Sequence, residues 1–154
     1  MPHFPLHVRI IAIGKIKGSH FAPACEDYLT RLRHYFEVEV IEVRTLLGEG
    51  KPEAQALLDE GRELLKHTRE GAKLVALHSE GRQYASVELA RFLQKQVAEG
   101  ARKIDLMLGG ANGLSHEVLA RSTQRLSLSA MTFAHELARV ILLEQLYRAG
   151  TILR

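Results

Sequence analysis

Residues 106–115 read Leu106-Met107-Leu108-Gly109-Gly110-Ala111-Asn112-Gly113-Leu114-Ser115: an apolar strand runs into a glycine turn and out into the start of a helix. Three of the five residues from Gly109 to Gly113 are glycine, which permits positive φ angles and close approach of another backbone or a ligand. The spacing is not the Gly-x-Gly-x-x-Gly of a dinucleotide site, and it lacks the Gly-Lys-Ser/Thr of a phosphate loop. A nucleotide phosphate is therefore not the obvious ligand. On local pattern alone the turn either closes on itself and binds nothing or forms the wall of a site.

Working outward, the same strand-then-helix step recurs. Residues 7–13 are short and β-branched and stop at Gly14, as expected of a largely buried strand. In residues 36–43, Phe36, Val38 and Val40 alternate with Glu37 and Glu39, a period of two that leaves one face wet. Tyr28, Leu29, Leu32 and Tyr35 recur between these strands at helical spacing after Pro23. A helix is expected over about 52–69, with Pro52 in its first turn and Gly71 beyond its end. A third strand follows over 73–77. Ser86 is a suitable N-cap for a helix through Val97, with Leu89 where a capping box would need Glu. The remaining expected elements are strand 104–108, helix 115–122, strand 126–128 and a long helix over 133–148.

This alternation predicts an α/β fold, a mostly parallel sheet with helices on both faces. Such sheets bind ligands at the carboxyl ends of their strands, so chemistry is expected just after residues 13, 43, 77, 108 and 128. No repeat, low-complexity tract or linker divides the chain, and residues 1–154 read as a single domain.

Composition narrows the class further. The 154 residues are 46% hydrophobic and 25% charged, the balance of an ordinary globular domain. The single cysteine, Cys25, excludes an intramolecular disulfide. No leader pattern opens the chain, and no apolar run approaches the roughly 20 residues needed to span a bilayer. A cytoplasmic protein without membrane contact is the expectation. The net charge of +3 permits an RNA partner but cannot argue for one.

Five positions are candidates for chemistry. Besides the glycine turn, Ser127-Leu128-Ser129-Ala130-Met131-Thr132-Phe133 leads into the last helix, with Thr132 as a possible cap; it is either an ordinary connection or a loop whose amides face a ligand. His78 and Glu80 are either a base and its orienter or exposed loop polars. His135 and Arg139 lie four apart and share a helix face. Arg139 sits among Leu, Val and Ile, so it is either a buried ion pair with Glu136 or Glu144, or a functional cation. Lys15, Lys17, His20, Arg31, Arg33 and His34 are either phosphate contacts or solvated surface. The eight histidines are scattered, and no metal site is expected.

Taken in order and spacing, Leu106 to Gly110, Gly113-Leu114-Ser115, Leu126 to Phe133, His135, Arg139 and Glu144-Gln145-Leu146-Tyr147-Arg148-Ala149 resemble the bacterial ribosomal large-subunit methyltransferase H family of the SPOUT class. Ile10 to Lys15, the Tyr28 helix and Leu77 extend the resemblance over essentially the full length. It implies a SPOUT fold with a carboxyl-terminal trefoil knot and a homodimer. It also implies S-adenosylmethionine-dependent methylation of N3 of a pseudouridine in large-subunit (23S) ribosomal RNA within assembled ribosomes. Leu77, Gly109, Leu128, Ser129, Ala130, Met131, Thr132 and Phe133 match the cofactor-contacting positions. His135 and Arg139 become the candidate catalytic pair, His135 to accept the N3 proton or hold the uracil edge, Arg139 to stabilise charge on a carbonyl oxygen or hold a phosphate. Ala111-Asn112 stands where the family often has Pro-Glu. Family members usually continue into a short tail containing Pro-Tyr-His, whereas this sequence ends at Ile152-Leu153-Arg154. The competing reading is therefore a SPOUT-like dimer that binds RNA or ribosomes without methyl transfer.

Overall fold

A computed structural model describes residues 2–154. The strands are β1 (His7–Ile13), β2 (Glu37–Val43), β3 (Lys73–Gln83), β4 (Lys103–Leu108) and β5 (Gln124–Ser127). The helices are α1 (Ala22–Leu32), α2 (Glu53–Lys66), α3 (Ser86–Ala98), α4 (His116–Arg121) and α5 (His135–Leu153). The strands form one sheet in the order β2-β1-β4-β3-β5, and every pairing is parallel. The α/β class expected from the alternation is the one observed.

The period of two along β1 and β4 divides the core. Val8, Ile10 and Ala12 of β1 with Ile104, Leu106 and Leu108 of β4 face helices α1, α3 and α5, where Leu29, Leu32, Leu93, Leu142 and Leu146 complete the larger cluster. Ile11, Ile13 and Met107 point the other way, onto Leu64 of α2 and Val118 and Leu119 of α4. Strands covered on both faces need near-continuous apolar runs, and β1 and β4 have them. Asp105 is the exception. It is fully buried, and its carboxylate accepts from the backbone N–H of Arg69 at 2.7 Å and from the Arg69 guanidinium at 2.6 and 2.9 Å, fastening the connection from α2 to β3.

Three local expectations are corrected. The N-cap of α3 is Ala85, not Ser86: the Ala85 backbone N–H donates to Glu88 at 2.8 Å, half of a capping box set one residue earlier. Ser86 instead donates its hydroxyl to Gln145 on α5 at 2.7 Å. Thr132 does not cap α5, whose N-cap is Ala134. The third strand runs past Leu77 to Gln83, because Leu77 and Arg82 both pair with Leu126 and residues 78–81 arch outward between them. Gly81 permits that arch, since a Cβ there would meet the carbonyl of Arg125 at 2.7 Å.

Two predictions arise from the packing. Cys25 is buried in α1 against the larger core cluster, and burial pushes its thiol pKa up, partly opposed by the nearby charge of Arg139. Native protein is expected to leave this thiol unreacted with Ellman's reagent, one equivalent appearing only on unfolding. At the sheet edge, Arg9 donates to Glu39 at 2.7 Å across the β1–β2 pair, and that bond holds the Glu39 carboxyl below the usual range. A carboxyl depressed in the folded state stabilises the fold above its ordinary pKa and loses that contribution as pH falls through the folded value. Glu39→Gln is therefore expected to flatten the fall of Tm between about pH 5 and 3.

Candidate functional site

At the carboxyl ends of β3, β4 and β5 the chain leaves a cleft of about 720 Å³. Three segments wall it: Leu77 to Ser79 after the regular part of β3, Leu108 to Leu114 after β4, and Leu128 through His135 after β5. Two stretches that locally could have been plain turns are thus opposite sides of one cavity. Leu77, Gly109, Leu128, Ser129, Met131, Thr132, Phe133 and His135 all line it; Ala130 and Arg139 do not.

The glycine turn is shaped by its own backbone. Gly110 and Gly113 form an isolated bridge, and a Cβ on Gly109 would lie 2.3 Å from the Gly113 carbonyl oxygen. Only glycine allows that approach. Asn112 ties the turn to the start of α2 through a 2.7 Å bond from its amide to Glu53. This contact makes Asn112 a strut.

The opposite wall is held by serines. The Ser127 hydroxyl shares its one proton between the carbonyls of Ser79 at 3.0 Å and Ser129 at 2.9 Å, and the Ser129 hydroxyl accepts from the Met131 backbone N–H at 3.0 Å. The backbone N–H groups of Ala130, Thr132 and Phe133 find no partner among the described residues. A loop with its side-chain hydroxyls turned inward and several amides unspent is suited to the polar edge of a planar ligand. Met131, 74% exposed, stands at the mouth.

His135 opens α5 on the cleft wall, its Nε2 2.9 Å from Glu136. His78 also reaches the cleft, but its Nδ1 accepts from the Glu80 backbone N–H at 3.1 Å, so Glu80 does not orient it with its carboxylate.

Arg139 pairs with neither Glu136 nor Glu144. It is 2% exposed, ion-paired with Glu42 at the end of β2, and donates to the Gly14 carbonyl at 3.0 Å at the end of β1. Glu42 also accepts from the Ile16 backbone N–H at 2.7 Å. One buried pair therefore locks the last helix to the ends of two strands behind the cleft. Glu42 lies 97 residues from Arg139, and the one local signal for it is parity: it falls on the face of Val38 and Val40, not on that of Glu37 and Glu39, which puts a carboxylate on the side facing α5. Lys15, Lys17 and His20 are exposed beside this junction.

Fold and cleft together define an α/β protein with a cavity of small-molecule size at the carboxyl ends of its parallel strands. The family model described as "Predicted SPOUT methyltransferase" matches residues 6–154, and the chain belongs to the SPOUT methyltransferase family. It is 46% identical over 151 residues to the ribosomal RNA large subunit methyltransferase H of Rubrobacter xylanophilus, covering 94% of this chain and 92% of that one. It is 41% identical over 151 residues to the protein of the same name from Porphyromonas gingivalis, covering 96% and 95%. Among solved structures, a probable methyltransferase from Bordetella pertussis Tohama I superposes with a TM-score of 0.57 at 16% identity, covering 94% of this chain and 96% of that one. That last likeness concerns the fold.

Proposed function

We propose that residues 1–154 form one methyltransferase domain that transfers a methyl group from S-adenosylmethionine to N3 of a pseudouridine in large-subunit (23S) ribosomal RNA, acting as a cytoplasmic homodimer on assembled ribosomes. The observation that carries the reading is the meeting of the glycine turn, the Ser129 loop and His135 around one cleft, in a chain closely similar to proteins named for large-subunit RNA methylation. The volume, about 720 Å³, suits a ligand of nucleoside size, and the unspent amides of Ala130, Thr132 and Phe133 suit the edge of its base. Leu77, Gly109 and Leu128 to Phe133 would hold the cofactor. When bound, it supplies an electrophilic methyl group on a sulfonium.

The rest falls to the chain. A neutral imide nitrogen is a poor nucleophile, so the N3 proton must leave as the new N–C bond forms and the methyl–sulfur bond breaks, the sulfur departing as a neutral thioether. His135, on the cleft wall with Glu136 at 2.9 Å to fix its ring, takes that proton. Arg139 works indirectly: with its guanidinium on Glu42 and the Gly14 carbonyl, it fixes the angle at which α5 presents His135. The trefoil knot belongs to the same proposal. It is supported by the path of the chain, which leaves β5 at the sheet edge and crosses back to seat α5 against α1 and α3.

Calorimetry with S-adenosylmethionine, followed by methyl transfer to purified ribosomes and mass spectrometry of the large-subunit RNA, tests the reading. Binding with a new methyl group on one pseudouridine is the expected result. Cofactor binding without transfer would leave the RNA-binding alternative, and no cofactor binding would overturn the enzyme.

A further inference from the structure

A second concavity, of about 390 Å³, lies away from the cleft, between the outer end of β3 and α3. We propose that this groove docks an unpaired segment of the RNA substrate, with a base stacked on the guanidinium plane of Arg82 and phosphates held by Arg91 and Lys95. The inference rests on the RNA methyltransferase reading and adds to it a surface outside the cofactor cleft.

A layered platform is already built. The Arg82 guanidinium carbon lies 4.6 Å from the centroid of the Tyr84 ring, Tyr84 rests against Phe92 at 5.6 Å, and Gln124 donates to the Tyr84 hydroxyl at 2.7 Å. The tyrosine is therefore fixed by two neighbours, and the arginine above it is exposed. Guanidinium planes and aromatic rings are the surfaces on which proteins stack unpaired bases.

The charges of the groove are unspent. Neither Arg82 nor Arg91 has an ion pair among the described residues, in contrast to Arg31, Arg44 and Arg148, which meet Asp27, Glu49 and Glu144. Lys95 reaches only Glu99, at 3.9 Å. Glu88, the acidic residue in the lining, is engaged by the Ala85 backbone N–H. Gln96 also lines the groove, is 9% exposed, and its side-chain amide makes no hydrogen bond among the described residues. A nearly buried amide facing a groove offers one donor face and one acceptor to a base edge. An acidic peptide would use the cations but leave the stacking plane and this amide idle, so RNA accounts for more of the surface.

The groove and the cleft are linked through β3. Leu77 and Arg82 both pair with Leu126, and the arch of residues 78–81 between them has His78 and Ser79 on the cleft wall. One strand thus serves both sites, and an RNA held at Arg82 lies beside the arch that borders the cleft.

Fluorescence anisotropy with a labelled oligouridylate of roughly twelve nucleotides, repeated over a range of KCl concentrations, tests the groove. Arg82→Glu/Arg91→Glu is expected to weaken binding at least tenfold and to reduce the log–log salt slope by about 0.7, the value for one lost phosphate contact on a single strand, that of Arg91. Arg82→Lys keeps the charge and loses the plane, so it is expected to keep the slope and weaken binding about fivefold. Tm and S-adenosylmethionine affinity, measured on the same samples, are expected to match the parent protein. Parent protein that fails to bind the oligonucleotide, or a folded double variant with unchanged affinity and slope, overturns the groove and leaves the proposed function standing. An Arg82→Lys variant equal to the parent overturns the stacking. Loss of oligonucleotide binding in the double variant, with a parent that neither binds S-adenosylmethionine nor methylates ribosomes, supports the groove and overturns the enzyme.

Discussion

His135→Ala is expected to slow single-turnover methylation of ribosomes by between about 10²- and 10⁴-fold, the range for loss of a positioned proton acceptor. Binding of S-adenosylmethionine should change little, because the residues proposed to hold it are Leu77, Gly109 and Leu128 to Phe133, and His135, although on the cleft wall, is not one of them. His135→Gln is the informative partner variant. It keeps a hydrogen-bonding group near Glu136 but cannot take a proton, so if the imidazole only held the uracil edge, Gln would restore much of the rate. Full activity in His135→Ala would remove the residue from the chemistry altogether.

Glu42→Ala is expected to cost about 3 kcal/mol of stability, at the lower end of the range for breaking a buried ion pair because the carboxylate side is 30% exposed. The variant leaves Arg139, 2% exposed, with the Gly14 carbonyl as its remaining partner. Its Nε already lacks one. For a chain of this length that cost lowers Tm by roughly 10 °C. Arg139→Met should cost less, since it removes the buried charge and leaves Glu42 to water and to the Ile16 N–H. The order of the two variants in thermal melts is the test: if Arg139→Met were the more damaging, the packing of the arginine stem and not its charge would be what holds α5.

Local chemistry made much of this molecule legible. β1 matches its expected span and most other elements fall within about three residues of theirs, helped by the glycines that stand just beyond β1, α3 and β4; β3 and α5 instead run past their expected ends, to Gln83 and Leu153. The end of β3 was hidden for a physical reason: residues 78–83 carry no alternation, and their strand character comes from Gly81 letting the arch press against the Arg125 backbone. The two cleft loops were visible as candidates, but nothing local says that residues 109 and 130 face one another. Only the resemblance joined the two loops, and the structure places Gly109 of one and Ser129 and Met131 of the other around one cavity, with Ala130 turned away from it. The partner of Arg139 was the clearest miss. The carboxylates nearest to it in sequence, Glu136 and Glu144, lie on its own helix, whereas the pairing runs to Glu42 of β2.

The cleft has a temporal consequence. Its walls come from segments near residues 77, 110 and 130, and the ion pair that seats α5 reaches back to β2, so no early portion of the chain holds a working site. A nascent or partly folded chain offers the ligand nothing to grip. Ligand affinity is then a readout of completed assembly, and by mass action the bound ligand stabilises only molecules whose last helix has docked.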